Sequence, residues 1–445
     1  MYEHIKNYLA KNIYPFHMPG HKRNLAFLPP DLHELDLTEI PGMDVLSMPT
    51  GILLDFQKSI ADFFGADESF FLVNGSSAGI VASICALCKP GRPLYVARNA
   101  HASTYNAMAL AGGRPVYILP EITQEGIAGG IDPAKFDHMP QGGCAIIVSP
   151  TYEGYVSDIK SIANRIHARG GMLIVDEAHG AHFAFHKSFP SSALAFGADI
   201  VINSLHKTLP MLGQCAALHA SGQRVDKERL RFYVNALQTT SPSYMLMAAA
   251  DYTFKLLRRD VGLFDDYVKR LEALRHSMPV QSGAIRLVEG EIGKHGIHDA
   301  DMGKILLSLH TDLAADKAEE RLARDFGLQV EMAAGRHLLA MTSVADTDEG
   351  FLRLSKAISA LNRELPVSNN PTVPPDTINY ATPQIACAPH EALSAKSELV
   401  PWEKASGRVA AQIVTKYPPG IALVAPGEII PAGLKGLGKH VRVLA

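Results

Sequence analysis

The sequence has few cysteines and almost no net charge, and both shortages limit what the protein can do. Its 445 residues include five Cys, and the formal net charge at pH 7 is −3. Five cysteines in so long a chain do not make a disulfide framework, which is typical of a reducing compartment. Charges of both signs are interspersed without a basic block, so neither a nucleic acid nor an anionic membrane is indicated as a partner. The expected partner is a small molecule.

Long apolar runs are absent as well. The first residues, Met1-Tyr-Glu-His-Ile-Lys-Asn-Tyr8, lack the apolar core of a signal peptide, and no stretch is long enough to cross a bilayer. We therefore expect a cytoplasmic protein. Cys85 and Cys88 have a spacing that can bind zinc, but they lie in an apolar stretch and no second pair follows. We expect both to pack on a buried helix.

What the sequence does contain is a regular alternation of short apolar strands and helical segments, beginning near Asp67. Such alternation predicts an α/β fold with a largely parallel sheet covered by helices on both faces. Ligands bind these sheets at the carboxyl ends of the strands. Strands are predicted at residues 69–73, 94–97, 116–119 and 145–148, and helices between residues 244 and 276.

The length suggests two or three domains, and composition divides the chain further. Residues 1–65, rich in Pro, His and turn signals, predict an N-terminal arm, and residues 66–283 predict the large domain. Residues 284–365 carry their own apolar runs and predict a smaller α+β domain. The proline-rich, non-periodic residues 366–384 are typical of a linker, and residues 385–445 predict a compact C-terminal segment.

Two predicted strands end in residues suited to binding pyridoxal phosphate (PLP). The apolar run at 198–203 leads into Ser204-Leu-His-Lys207, and Leu173-Ile-Val-Asp176 ends another strand about thirty residues upstream. A lysine can form a Schiff base with the cofactor aldehyde, and a buried carboxylate can keep the pyridine nitrogen protonated, which makes the ring an electron sink. Either residue alone is more often a solvated strand end or a turn. Their combination predicts a PLP site.

A phosphate cradle and a stacking ring fit the same site. Asn74-Gly75-Ser76-Ser77-Ala-Gly79 follows a strand and precedes a helix, so its amides and the hydroxyls of Ser76 and Ser77 can bind a phosphate. His101 follows another strand and can stack on the pyridine ring. His179 and His206 flank the proposed Asp and Lys and could suggest a metal, but zinc needs three convergent ligands. We expect no metal.

On these residues the chain resembles the PLP-dependent ornithine/lysine/arginine decarboxylases, which are fold type I enzymes, in the shorter form without an N-terminal wing domain. The resemblance covers nearly the whole chain in the family's order. Its motifs are Met18-Pro-Gly-His-Lys22, Leu37-Thr-Glu-Ile-Pro-Gly42, Asn74-Gly-Ser-Ser77, Ala97-Arg-Asn-Ala-His101, Ser149-Pro-Thr-Tyr-Glu-Gly154, Val175-Asp-Glu-Ala-His-Gly-Ala-His182, Ser204-Leu-His-Lys-Thr-Leu209 and Pro418-Pro-Gly-Ile421.

The resemblance implies decarboxylation of lysine, ornithine or arginine to an amine and CO2, as in polyamine biosynthesis, and a role for each matching residue. Lys207 would carry the cofactor and Asp176 would pair with its pyridine nitrogen. His101 would stack on the ring, and His206 would contact cofactor or substrate near the reacting carbon. The residues implied to bind the cofactor are Gly75, Ser76, Ser77, His101, Asp176, His179, Ser204, His206, Lys207 and, from a partner subunit, Thr240.

The resemblance also implies a homodimer or larger oligomer with the site at the subunit interface. Glu428, in the Pro-Gly-Glu motif, matches a family position near the distal amine of the substrate, although a solvated surface glutamate is the plainer interpretation. The chain departs from the family at Asp44-Val-Leu-Ser-Met48, where two histidines are replaced. That change leaves the choice of substrate open.

Two alternatives to a basic amino acid decarboxylase remain. One is another fold type I PLP enzyme, such as an aminotransferase or a carbon–sulfur lyase. An aminotransferase normally pairs the substrate carboxylate with an arginine, so an arginine such as Arg353 facing the cofactor would favour it. The other is a non-catalytic regulatory paralogue, against which the intact Lys207 and Asp176 count.

Overall fold

The computed structural model of the chain describes residues 1–368, 370–373, 382–416, 420–434 and 438–445. These residues form twelve α-helices and nineteen strands. Among them, no helix is both long enough and apolar enough to span a membrane. Residues 369 and 374–381 of the predicted linker, and Pro418 and Pro419 of one motif, lie outside the described residues.

The helices, in chain order, are α1 (Tyr2–Leu9), α2 (Ile52–Phe64), α3 (Gly75–Leu87), α4 (Ala102–Ala111), α5 (Ile159–His167), α6 (Leu205–Thr208), α7 (Lys227–Ala236), α8 (Tyr244–Arg259), α9 (Gly262–His276), α10 (Ala315–Phe326), α11 (Asp348–Glu364) and α12 (Pro389–Ser394). The helices predicted between residues 244 and 276 are confirmed as α8 and α9. Cys85 lies on α3 and Cys88 directly after it, and both are buried, as predicted.

The strands, in chain order, are β1 (Tyr14–Phe16), β2 (Glu68–Leu72), β3 (Pro93–Ala97), β4 (Arg114–Ile118), β5 (Cys144–Val148), β6 (Tyr155–Val156), β7 (Met172–Asp176), β8 (Ile200–Asn203), β9 (Ala216–Ala220), β10 (Ile285–Leu287), β11 (Asp299–Ala300), β12 (Lys304–Leu309), β13 (Leu328–Val330), β14 (Met332–Ala334), β15 (His337–Met341), β16 (Ser397–Pro401), β17 (Val414–Lys416), β18 (Ile421–Val424) and β19 (His440–Leu444). Each strand predicted from the sequence is present within two residues of its expected bounds.

A seven-stranded sheet forms the centre, in the order β2-β9-β8-β7-β5-β3-β4. β9 runs antiparallel to both of its neighbours, and the other six strands share one direction. Alternate residues of the apolar strands pack on opposite faces: Ile146 and Ile174 contact the core around α3 and α4, whereas Ile147 and Val175 contact the core around α5. The predicted mostly parallel α/β sheet is confirmed.

A second, four-stranded antiparallel sheet, in the order β10-β12-β15-β14, lies within residues 284–365, where a smaller domain is predicted. The N-terminal arm contacts the same region through β1, which pairs in parallel with β13 in a separate two-stranded sheet. The side chain of Lys22 is buried and donates hydrogen bonds to the backbone carbonyls of His17 (2.9 Å) and Met341 (2.8 Å). These contacts hold the arm against residues 284–365. The domain boundaries themselves stay a prediction.

Candidate active site

A cavity of about 340 Å³ lies at the carboxyl ends of the central strands. Strand ends and helix starts from β2, β3, β7 and β8 meet there, as expected for a largely parallel sheet. Eight of the predicted site residues line it, namely Gly75, Ser76, Ser77, His101, Asp176, His179, His206 and Lys207. The structure therefore brings these predicted residues together in one cavity.

Lys207 lies on α6, the short helix that follows β8. Its Nζ is 3.1 Å from Nε2 of His179. Burial lowers the pKa of the Lys207 amine, and the nearby carboxylates of Asp176 and Glu331 oppose this effect. An amine whose pKa is lowered carries a free electron pair in a larger share of molecules, as a nucleophile requires.

Asp176 is the last residue of β7 and is 4% exposed. Burial raises the pKa of its carboxyl group, while Lys207 and His101 act in the opposite direction. The next residue, Glu177, turns away from the cavity and accepts hydrogen bonds from the Ala193 amide (2.6 Å) and the Ser192 hydroxyl (3.2 Å). Glu177 thus fixes the turn that presents Asp176.

The chain following β2 is built to receive an anion. Gly75 has φ +75°, a conformation that side chains disfavour, and α3 begins there without a side-chain cap on its first-turn amides. The Ser204 hydroxyl donates a 2.6 Å hydrogen bond to the Ser76 hydroxyl, which brings the two hydroxyls side by side. Uncapped amides, a positive helix end and paired hydroxyls fit a phosphate group.

A buried acceptor in the cavity wall points to a bound group as well. The side-chain oxygen of Asn99 is buried and has no hydrogen-bond partner among the described residues, and Asn99 lines the cavity. A buried polar atom without a partner is destabilising unless something else satisfies it. The donor set and this acceptor together fit a polar cofactor with a phosphate arm.

His101 and His206, the histidines predicted to stack on the ring and to flank the lysine, have defined tautomers. His101 accepts a hydrogen bond at Nδ1 from the Ser103 amide (3.2 Å), so in the neutral ring the proton lies on Nε2. His206 holds Nδ1 at 2.9 Å from the carbonyl of Cys215, so there the proton lies on Nδ1. Both rings are neutral near pH 7, because burial lowers the pKa of each.

Sequence reasoning missed several cavity residues. Tyr152 and Glu153 belong to the Ser149–Gly154 motif, for which the sequence predicted no role, and Met18 comes from the arm. Lys304 touches the site from β12: its Nζ lies 2.8 Å from Nδ1 of His179, and its side chain is buried. The available signal was a lysine that opens the apolar strand Lys304–Leu309, because buried lysines are rare.

The arm closes one side of the cavity. The Gly20 amide donates a 2.7 Å hydrogen bond to the carbonyl of His206, and a Cβ at Gly20 would lie 2.4 Å from the carbonyl oxygen of Leu209. Only glycine fits so close to the backbone that carries Lys207. The Met18 amide is held by the carboxylate of Glu331 at 2.9 Å. These contacts explain the Met18-Pro-Gly motif.

The C-terminal segment contributes to the wall as well. Ile421, the first residue of β18, lines the cavity and forms a backbone bridge with His101, and the Ala102 amide donates to the carbonyl of Gly420. The end of the predicted Pro-Pro-Gly-Ile motif therefore contacts the histidine predicted to stack on the ring.

Three predicted residues do not line this cavity: Ser204, which is hydrogen-bonded to the lining residue Ser76, Glu428 and Thr240. Glu428 is 2% exposed and forms a two-pronged ion pair with Arg98, both N–O distances being 2.9 Å. Its carboxylate is therefore occupied by an internal cation, not exposed to solvent. Thr240 is exposed, away from the cavity of its own chain. Arg353, the arginine named for a transaminase, lies on α11 against Tyr14 and Glu349.

The arrangement can bind a phosphorylated ring, hold a neutral lysine amine next to it and place a carboxylate at its far end. No arginine is among the described residues that line the cavity. The described residues also contain no group of three or more His, Cys, Asp or Glu side chains arranged to hold a metal ion. The chemistry that the site supports is that of a covalently attached carbonyl cofactor.

Comparisons with known proteins agree with this geometry. Two family models match the chain: the major domain of Orn/Lys/Arg decarboxylase over residues 1–295, and the C-terminal domain of the same family over residues 376–444. An arginine decarboxylase of Bacillus subtilis (strain 168) is 32% identical over 444 residues, covering 97% of this chain and 91% of the relative.

Solved structures share the fold at lower identity. The constitutive lysine decarboxylase of E. coli aligns with a TM-score of 0.75 and 18% identity, covering 92% of this chain and 71% of that one. A structure of SPT with PLP aligns with a TM-score of 0.60 and 16% identity, covering 79% of this chain and 88% of that one.

Proposed function

The chain belongs to the Orn/Lys/Arg decarboxylase family, and from this premise we propose that it is a PLP-dependent decarboxylase of a basic amino acid, with arginine as the first candidate substrate. The observation that carries the proposal is the meeting of Lys207, Asp176 and the Gly75–Ser77 cradle in one cavity. Arginine is favoured because the relative at 32% identity is named an arginine decarboxylase.

Each cavity residue then has a proposed role. Lys207 attaches the cofactor, Asp176 pairs with its pyridine nitrogen, and Gly75, Ser76, Ser77 and Ser204 hold its phosphate. When bound, PLP supplies an electron sink for the pair of electrons left as CO2 departs. His101 stacks on the ring, and the neutral His206 stands next to Lys207, where either can return a proton to the α-carbon. Thr240 is proposed to reach the partner subunit's phosphate.

The distal cation of the substrate needs a carboxylate. Two carboxyl side chains are among the described residues lining the cavity, Asp176 and Glu153. Since Asp176 is assigned to the cofactor, Glu153 is the candidate partner of a guanidinium or ammonium group. An aminotransferase is the weaker alternative, because the described cavity wall lacks an arginine for the α-carboxylate.

The test is CO2 release from the purified protein with PLP, offered arginine, lysine and ornithine separately, with the amine identified by mass spectrometry. We expect agmatine from arginine at a rate at least about tenfold above that of the other two substrates, a difference of about 1.4 kcal/mol in transition-state binding. Norleucine, which lacks the distal cation, serves as the control and should release none. Release of an amine-transfer product in place of CO2 would establish the aminotransferase alternative.

A homodimer is proposed from the surface of the arm. Several large apolar side chains are exposed there over a short stretch. A single exposed apolar residue is ordinary, whereas a run of them is typical of an interface between subunits. They are Leu37, Ile40, Met43, Val45, Met48 and Ile52. Sedimentation velocity should give a particle of twice the chain mass or more, and Met48→Glu should shift it toward the monomer. A monomeric wild-type protein at micromolar concentration would contradict the proposal.

Placement in the cytoplasm and a role in forming polyamines are proposed with the function. The cysteines are free, and four of the five are buried. This state suits a reducing compartment.

A further inference from the structure

The side chains of Lys304, His179 and Lys207 form a continuous series of hydrogen-bond contacts that begins in the cavity wall. Nζ of Lys304 lies 2.8 Å from Nδ1 of His179, and Nε2 of the same ring lies 3.1 Å from Nζ of Lys207. His179 is 6% exposed and Lys304 4%. The ring of Tyr152 meets His179 edge-on at 5.1 Å and covers the chain from one side.

The number of protons on the two lysines and on His179 limits which hydrogen bonds these three side chains can form. A neutral imidazole has one N–H donor and one acceptor nitrogen, and a lysine ammonium can only donate. Both contacts can therefore be hydrogen bonds only if at least one lysine is a neutral amine with a free electron pair, while the other lysine donates to the second ring nitrogen. His179 itself stays neutral, because burial and the two flanking lysines hold its pKa well below the usual range.

The surrounding charges decide which lysine keeps the proton. Lys304 faces three carboxyl groups, those of Asp301, Glu331 and Glu153, whereas Lys207 faces two, those of Asp176 and Glu331. Asp176 is further assigned to the pyridine nitrogen under the proposed function. The other titratable side chains near these three are His101 and His206, whose rings are neutral, Tyr152, whose ring contacts His179, and His182, which lies 3.1 Å from the Asp301 carboxylate. The proton therefore belongs on Lys304.

We propose that Lys304 is a positioning residue that keeps Lys207 in its neutral, nucleophilic form by acting through His179. The Lys304 ammonium donates to Nδ1, which places the ring proton on Nε2, and Nε2–H donates to the electron pair of Lys207. The proposal deepens the proposed function, on which it rests, because a neutral Lys207 is what attack on a carbonyl carbon requires. No proton or electron leaves the three groups in this state.

The burial of both lysines supports the proposed direction of the effect on their pKa values. It lowers the pKa of Lys304 to about 8, with Asp301 and Glu331 opposing and Lys207 adding to the decrease. Two ammonium groups on either side of one imidazole repel each other, so the second proton is the harder one to add. Loss of the Lys304 charge should consequently raise the pKa of Lys207.

The test measures Lys207 directly in the full chain freed of PLP. The rate at which an acylating reagent modifies Lys207 is followed by peptide mass spectrometry as a function of pH, with exposed Lys187 as the internal reference. Lys304→Met should shift the Lys207 profile upward by about one pH unit, which lowers its neutral fraction about tenfold below the pKa. Lys304→Arg should leave the profile near that of the wild type, because guanidinium keeps both the charge and the donor.

Two outcomes would overturn the proposal: a Lys304→Met profile that coincides with the wild type, or a Lys304→Arg profile that shifts as far as that of Lys304→Met. Should Lys304→Met fail to fold, nitrogen-15 NMR of the wild-type ring decides. We expect His179 to be protonated on Nε2 alone. An Nδ1–H tautomer would refute the proposed hydrogen bonds from Lys304 to His179 and from His179 to Lys207. Neither measurement uses substrate or PLP, so a failed decarboxylase assay and a failed positioning role are distinguishable.

Discussion

Replacing Lys207 with alanine is expected to lower CO2 release by about 10³-fold or more, a loss of at least about 4 kcal/mol in transition-state stabilisation. Lys207 is the lysine that lines the cavity between Asp176 and the Gly75 cradle. Under the proposed function, its removal takes away the point of covalent attachment and a proton carrier at once. The measurement is the steady-state rate with arginine at saturating PLP.

The control variant is Lys187→Ala, which removes an exposed lysine and should keep the wild-type rate. After borohydride reduction, the wild-type peptide containing residue 207 should carry the mass of the cofactor, and the Lys207→Ala protein should carry it nowhere. A small primary amine such as methylamine should restore part of the activity, because it can replace the missing Nζ in the vacated space. Release within about tenfold of the wild type would refute the assignment of Lys207.

The predicted residues that the structure brings together in the cavity share one property: each lies at or just after the end of a recognisable strand. Asp176 ends β7, Lys207 follows β8, and His101 and Gly75 follow β3 and β2. Since the carboxyl ends of parallel strands meet at one edge, local patterns were enough to bring these side chains together. The family read from the same motifs is confirmed by the matches over residues 1–295 and 376–444.

The residues that sequence reasoning missed depend on contacts between distant segments. Lys304 meets His179 across 125 residues of sequence, and no local pattern fixes how β12 packs against the loop after β7. The pairing of Glu428 is a second case. Its motif suggested a substrate contact, whereas its partner Arg98 stands 330 residues earlier in the chain. Pairings of this kind follow from the docking of one folded segment on another, which periodicity does not encode.

The Arg98–Glu428 pair joins the central sheet to the C-terminal segment. Arg98 directly follows β3, is 4% exposed, and donates to the carbonyl of Leu423 (2.8 Å) as well as to both carboxylate oxygens. Glu428 accepts a further hydrogen bond from the Ala425 amide at 3.0 Å. Each charge is thus matched by several partners within a buried site, and loss of either leaves the other without compensation.

Glu428→Gln is therefore expected to lower the free energy of unfolding by about 3 to 5 kcal/mol, because it leaves the Arg98 charge buried and unpaired. Glu398→Gln, in the same segment, breaks the exposed pair with Arg408 and should cost less than about 1 kcal/mol. The double replacement Arg98→Met with Glu428→Leu should recover much of the loss, since no buried charge remains. Chemical denaturation of the four proteins gives these values.

The same variant separates the two roles considered for Glu428. If the role of Glu428 is the ion pair with Arg98, Glu428→Gln lowers the free energy of unfolding. KM for arginine, measured under conditions where the variant is fully folded, then changes by less than about twofold. If Glu428 binds the distal cation of the substrate, KM rises by about tenfold or more, as expected for the loss of a charge-assisted contact, and stability changes little. The geometry favours the first result, because Arg98 already occupies both carboxylate oxygens at 2.9 Å.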